Sequence, residues 1–117
     1  MIADQGLESL DKVLEHRVRL GIAVLLTRYD EISFARFKEL LRETDGSLGA
    51  QLRKLEDEGY LSMRKEFRER RPTTWYALTP KGRQALASHL QALRQLIHIA
   101  EESQPEKERG IGVSPDF

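Results

Sequence analysis

Thr44-Asp45-Gly46-Ser47-Leu48-Gly49-Ala50-Gln51-Leu52-Arg53-Lys54-Leu55-Glu56-Asp57-Glu58-Gly59 runs directly into Tyr60-Leu61-Ser62-Met63-Arg64-Lys65-Glu66-Phe67, a basic Arg68-Glu69-Arg70-Arg71-Pro72, and Thr73-Thr74-Trp75-Tyr76-Ala77-Leu78-Thr79. Leu48, Leu52 and Leu55 recur at i, i+4 and i+7, so they fall on one stripe and predict a helix over about 45–58. Thr44, Asp45 and Ser47 supply capping oxygens at its start, and Gly59 can take the left-handed stop. Ser47, Ala50, Arg53, Lys54 and Asp57 point away from the leucines. The outer face is therefore small near the start and basic further on. Such a surface suits a nucleic-acid groove, where small residues let the backbone approach while Gln51, Arg53 and Lys54 reach base edges and phosphates.

The two segments after Gly59 are rich in strand-forming residues and predict a hairpin over about 60–79. Pro72 is expected to end the ladder and stiffen the turn. Tyr76 and Leu78 share the hairpin face expected to meet the core, whereas Trp75 lies on the other and is expected to be half-exposed, covering arginine stems or lining a ligand pocket. Arg64, Lys65, Arg68, Arg70 and Arg71 put cationic side chains on the hairpin, placed to follow phosphates or enter a minor groove.

Outward from this centre, Leu7, Leu10, Val13, Leu14, Val18 and Leu20 to Leu26 give one long helical pattern to about Arg28, with Asp4, Glu8, Asp11 and Glu15 as a solvated acidic stripe. Tyr29 to Ile32 read as a connector. Ser33 is a candidate N-cap for a helix over Phe34 to Arg42, with Phe34, Phe37, Leu40 and Leu41 inward. Glu43 to Gly46 join this helix to the next, which makes a helix-turn-helix. From Pro80, a long helix over about 80–100 carries an apolar stripe of Leu86, Leu90, Leu93, Leu96 and Ile97, and residues 101–117 read as a loose tail. A stripe extending past a fold this small is expected to meet a second copy, with Leu7, Leu10 and Leu14 alongside.

Phe34 to Leu41, the Leu48 to Gly59 helix, Arg70-Arg71-Pro72, and Leu78-Thr79-Pro80-Lys81-Gly82-Arg83 together resemble the small single-domain winged helix-turn-helix transcriptional regulators related to the MarR, ArsR and PadR groups. The resemblance covers roughly residues 8–100. It implies a mainly α fold with a small β-hairpin: a winged helix over 1–100, recognition helix about 45–58, wing about 60–79, and a long C-terminal dimerisation helix. It further implies a homodimer that reads a pseudo-palindromic operator in double-stranded DNA, most often as a repressor. Thr44, Ser47, Ala50, Gln51, Arg53 and Lys54 would then meet the major groove, with Gln51 the foremost base reader. Arg64, Lys65, Arg68, Arg70 and Arg71 would hold the backbone or minor groove. Relatives of this kind respond to small molecules, so a small-molecule effector belongs among the expected partners.

Charge distribution agrees with this reading although the 19 Lys/Arg and 19 Asp/Glu cancel. Residues 1–58 carry −3, residues 59–84 carry +5 and residues 85–117 carry −2, so the positive charge concentrates in the hairpin and the entry to the last helix. A local patch outweighs the total, because salt screens interactions beyond about 10 Å. One domain is expected from 117 residues. The absence of cysteine excludes disulfides and thiolate sensing, and no apolar run approaches the ~20 residues of a membrane span, so a cytoplasmic protein is expected. His16, His89 and His98 lack metal-site spacing and are expected to be solvated or at an interface. No phosphate loop, nucleophile–base pair or zinc signature is present, so no enzyme and no cofactor is expected. The alternative is a winged-helix protein-binding module that recognises no operator.

Overall fold

The computed structural model describes residues 2–102 and Pro105, with side chains from Gly6 onward. Five α-helices and three strands follow in the order α1 (Ile2–Ser9), α2 (Arg17–Leu25), β1 (Ile32–Ser33), α3 (Phe34–Leu41), α4 (Asp45–Asp57), β2 (Leu61–Arg68), β3 (Arg71–Leu78) and α5 (Pro80–Glu102). Helices α3 and α4 have the ends that their sequence specifies. The Ser33 hydroxyl accepts the Arg36 N–H at 3.2 Å, and the Thr44 hydroxyl accepts the Ser47 N–H at 3.1 Å. Gly59 closes α4 with φ of 80°, the left-handed conformation that glycine adopts without a Cβ clash.

The single long N-terminal helix expected from the apolar spacing is absent. It divides into α1, a 3₁₀ turn over Lys12–Glu15, and α2. Two side chains make the breaks: the Asp11 carboxylate accepts the Val13 N–H at 2.8 Å, and His16 Nδ1 accepts the Val18 N–H at 3.2 Å. These local bonds offer the backbone an alternative to continuous helix. Tertiary partners fix the first break. The Asp11 N–H donates to His89 Nδ1 at 2.9 Å, and the Tyr60 hydroxyl donates to the Asp11 carboxylate. His89, expected in solvent or at an interface, is thus a 2% exposed core residue of α5. Asp11 is half-buried in this bonded cluster rather than one of a solvated acidic stripe.

The connector before α3 contains a strand. β1 pairs antiparallel with β3 at Ile32↔Tyr76 and Ser33↔Trp75, and the sheet order is β1-β3-β2. β2 and β3 pair from Leu61↔Leu78 to Arg68↔Arg71, leaving Glu69 and Arg70 as the turn. Both turn residues have positive φ, 49° and 64°, the geometry whose twist matches paired strands. Pro72 does not end the ladder; it lies inside β3 opposite Phe67. The Arg68–Arg71 pair flanking a two-residue turn is hydrogen-bonded, so the next pair is not, and the missing proline N–H interrupts nothing. β1 reaches only Trp75, so that side of Pro72 has no strand to satisfy.

The core gathers Leu14, Val18, Ile22, Ala23 and Leu26 with Ile32, Phe37, Leu48, Leu52, Leu55, Tyr60, Leu61, Tyr76 and Leu86. The three leucines of α4 are at most 1% exposed, as their spacing predicts. Phe34 and Leu41 pack against this core, whereas Leu40, expected inward, is exposed. The Leu78-Thr79-Pro80-Lys81-Gly82 motif joins wing to last helix. The Thr79 hydroxyl donates to the Gly59 carbonyl at 2.6 Å and accepts the Gly82 N–H at 2.9 Å, thereby capping α5. A Cβ on Gly82 would sit 2.2 Å from the Tyr60 carbonyl oxygen, so only glycine permits this approach. Helix α5 spans 23 residues, to Glu102 rather than about residue 100, and is therefore about 34 Å long. The rest of the expected tail lies outside the described residues, apart from Pro105.

Candidate nucleic-acid interface

With the leucines of α4 buried, the helix turns Asp45, Gly46, Ser47, Ala50, Arg53, Lys54 and Asp57 to solvent. Its first two turns are smooth: a Cβ added at Gly46 or Gly49 would meet nothing within 4 Å. Among the described residues Arg53 makes no ion pair, and Lys54 has only a long 3.8 Å approach to Glu58. Thr44 lies at the helix start as its cap, and the Ser47 hydroxyl donates to Glu43 at 2.7 Å. Gln51 departs from expectation. It is half-buried, and its side-chain oxygen accepts a bond from Arg19 Nη1 at 3.2 Å, while Arg19 Nε donates to the Val13 carbonyl. The carboxamide is therefore drawn toward α2, and Gln51 is not a free base reader. Arg19, 32 residues away in sequence, carried no local signal of this role.

The hairpin sorts its cations by face. Ser62, Arg64, Glu66 and Arg68 alternate with Leu61, Met63, Lys65 and Phe67, so the two sets point to opposite sides. Met63 and Lys65 face α4, where with Thr74, Tyr76, Gly49, Arg53, Glu56 and Asp57 they line a hollow between helix and wing. On the other face, Arg64 is bound on three sides. It forms a bidentate pair with Glu31, 2.8 Å at both bonds, a 3.0 Å bond to Glu66, and stacks 5.7 Å over the Trp75 ring. Trp75 Nε1 donates to Glu66 at 3.0 Å. Hydrogen bonding from Arg64 holds the Glu31 and Glu66 carboxyls below the usual carboxylate range, with Trp75 adding to the effect on Glu66. Arg64, expected to bind DNA, instead ties β2 across β3 to the residue preceding β1.

The remaining wing cations are available. Arg68 has one long 3.5 Å approach to Glu66, and Lys65, Arg70 and Arg71 make no ion pair among the described residues. Free charge thus runs along the exposed face of α4 and the distal half of the wing. The partner of Arg64, Glu31, escaped sequence reasoning because nothing local marks a carboxylate 33 residues away. Among the described residues no cluster has the makings of a metal site, and no helix is long and apolar enough to cross a membrane.

The residues expected at a subunit interface separate into two groups. Leu14 and Leu86 are buried in the chain's own core, which removes them from any surface open to a second copy, while Leu90 is half-buried and packs against that core. Leu10, Leu93 and Leu96 are half-buried, whereas Leu7 and Ile97 are 53% and 52% exposed. Helix α1 lies on α5 of its own chain: a Cβ on Gly6 would come within 2.7 Å of Leu96.

A capped helix with a smooth basic outer face, followed by a charged hairpin and held by helix α3, is the arrangement of a winged helix, and the winged helix DNA-binding domain family matches residues 18–97. The chain belongs to that family. An uncharacterized protein of Methanocaldococcus jannaschii is 34% identical over 85 residues, covering 73% of this chain and 92% of that protein. A transcriptional regulator homologue from Pyrococcus horikoshii superimposes with a TM-score of 0.76 at 27% identity, over 83% of this chain and 98% of that one. A mutant of MarR from E. coli has the same fold, with a TM-score of 0.66 at 16% identity over 89% of this chain and 80% of that one. This winged helix is a DNA-binding domain of the transcription-regulator type, with β2–β3 as its wing.

Proposed function

We propose that the chain is a dimeric transcriptional repressor whose recognition helix is α4, placed from each copy in successive major grooves of a pseudo-palindromic operator. Arg53, Lys65, Arg70 and Arg71, which make no ion pair among the described residues, beside the smooth surface of Gly46, Gly49 and Ala50 carry this reading. A helix fills a major groove about 12 Å wide only if its outer face is slim, and phosphates reward the flanking cations. Ala50, Arg53 and Lys54 face the bases. Thr44 and Ser47 sit where the helix start meets the phosphate backbone, and Lys65, Arg68, Arg70 and Arg71 follow the strand or the minor groove. The exposed Leu7 and Ile97, with half-buried Leu10, Leu93 and Leu96, are the surface that receives the second copy.

A small-molecule effector would act at a hollow of about 330 Å³ lined by Tyr29, Glu31, Ile32, Ser33, Arg36, Leu40 and Trp75. A ligand drawing Glu31 from Arg64 would loosen the wing and change Trp75 fluorescence. Selection from a random duplex library tests the principal reading. It is expected to enrich an inverted repeat with half-site centres about 34 Å apart along the duplex. Equal, weak binding to selected and scrambled duplexes would instead favour a protein-binding module.

A further inference from the structure

Phe67 is the most exposed large apolar side chain among the described residues, at 72%, and its position gives that exposure a use. It lies two residues from the hairpin end, directly opposite Pro72. Non-hydrogen-bonded pairs bring their Cα atoms to about 4.5 Å, so phenyl ring and pyrrolidine sit side by side on one face of the tip. That face is shared with Lys65 and Met63, on the side of α4. Arg68 and Arg71, the next pair along the ladder, point to the opposite face and Arg70 lies in the turn; Arg70 and Arg71 have no acidic partner among the described residues. The turn is narrow, since Glu69 and Arg70 alone reverse the chain, both in the left-handed region without being glycine.

An apolar face at a tip whose other face and turn carry arginines does not suit an acidic protein surface, which would leave the phenyl against charge. It suits a minor groove, with phosphates on both walls and apolar base faces between stacked pairs. We propose that Phe67, supported by Pro72, is a wedge that enters the minor groove beside the recognition site and opens a base step, making it a specificity-determining residue. The arginines deliver the wedge by pairing with flanking phosphates, and the ring stacks against the exposed base face. Pyrimidine–purine steps, which unstack most easily, are the ones it selects. This proposal rests on the DNA-binding reading given above.

The test compares wild type with Phe67→Ala and Phe67→Leu on the duplex selected by the wild type, labelled with 2-aminopurine at the step flanking the half-site. Affinity, salt dependence, 2-aminopurine fluorescence and end-to-end energy transfer are read together, and sedimentation reports the oligomeric state. Wild type is expected to raise the fluorescence and bend the duplex. Phe67→Ala is expected to abolish both effects and weaken binding by roughly 5- to 150-fold, the range for removing a base–aromatic stack, with an unchanged salt slope. Phe67→Leu, still an apolar wedge, is expected to keep most of the bend. If wild type binds the duplex tightly and Phe67→Ala matches it in affinity, fluorescence and bend, the wedge is refuted while DNA binding stands. A wild type that binds no duplex refutes both. A Phe67→Ala effect confined to self-association also overturns the proposal, because it would place the ring against a second protein chain.

Discussion

Replacing Gly46 and Gly49 with alanine is expected to make the protein more stable and its DNA binding worse. Both glycines lie within α4, neither has positive φ, and an added Cβ at either meets nothing within 4 Å. Nothing inside the chain therefore requires glycine there. In a helix interior, alanine is favoured over glycine by about 1 kcal/mol, the figure that applies to Gly49; Gly46, in the first turn, contributes less. For a domain of this size about 1 kcal/mol raises Tm by roughly 4 °C. In the proposed binding mode the Gly46 methyl lies on the face turned toward the groove and the Gly49 methyl at its edge, beside the hollow that faces the wing. Pushing the helix outward by a methyl radius stretches its hydrogen bonds to the bases beyond the ~3.2 Å at which they hold, and breaking one such bonded pair costs about 1–3 kcal/mol, or about 5- to 150-fold in affinity. Thermal unfolding by circular dichroism and fluorescence anisotropy on the selected duplex would read the two effects separately. Unchanged affinity in the stabilised double variant would refute the close approach of this face to DNA. A lower Tm would refute the claim that the space beside the glycines is empty.

Other outcomes follow from the wing and its supports. Arg70→Ala combined with Arg71→Ala is expected to weaken binding to every sequence and to reduce the slope of log affinity against log salt by about 0.9 for each phosphate no longer neutralised; full affinity at physiological salt would remove the wing from the interface. Glu31 and Glu66 have folded-state pKa values lowered from 4.5, so their contribution is present above that value and lost as pH falls through the lowered one. Glu31→Gln should therefore flatten the decline of Tm below pH 4.5, and an unchanged acid limb would show the Arg64 brace to be inert. Tyr60 is the opposite case: burial, then its bond to Asp11, pushes its pKa up to about 12 from 10, so that stability is full below pH 10 and falls as pH rises toward 12. Tyr60→Phe is expected to abolish this alkaline loss at a cost of about 1 kcal/mol near neutrality, measured by chemical denaturation.

Where the sequence was readable, the reason was local. The leucine spacing of α4, the Thr44 and Ser33 caps, the Gly59 stop and the Thr79-Pro80 entry to α5 all act within a few residues, and each appears where its neighbours dictate. The features that local pattern concealed depend on distant partners. The break after Ser9 is held by His89 and Tyr60, 78 and 49 residues from Asp11. β1 has only two residues and exists because β3 lies beside it. Within the interface the sequence showed which residues are charged but not which of them are occupied. Arg64 and Arg70 look alike in the chain, yet Glu31 holds one, and no carboxylate among the described residues holds the other. Gln51 likewise sits at a helix position suited to base reading, and only the fold reveals Arg19 beside it. Phe67 carried a signal that was legible in principle: a phenylalanine between charged residues at a hairpin end has no core to face.

Dimeric operator reading through α4 and the wing is tested most directly by the stoichiometry and footprint of the complex on the selected duplex, from native mass measurement together with base-by-base interference in both grooves. Two chains per duplex are expected, with two protected major-groove windows about one helical turn apart and a minor-groove footprint beside each. One chain per duplex, or interference spread evenly along it, would contradict that mode of binding.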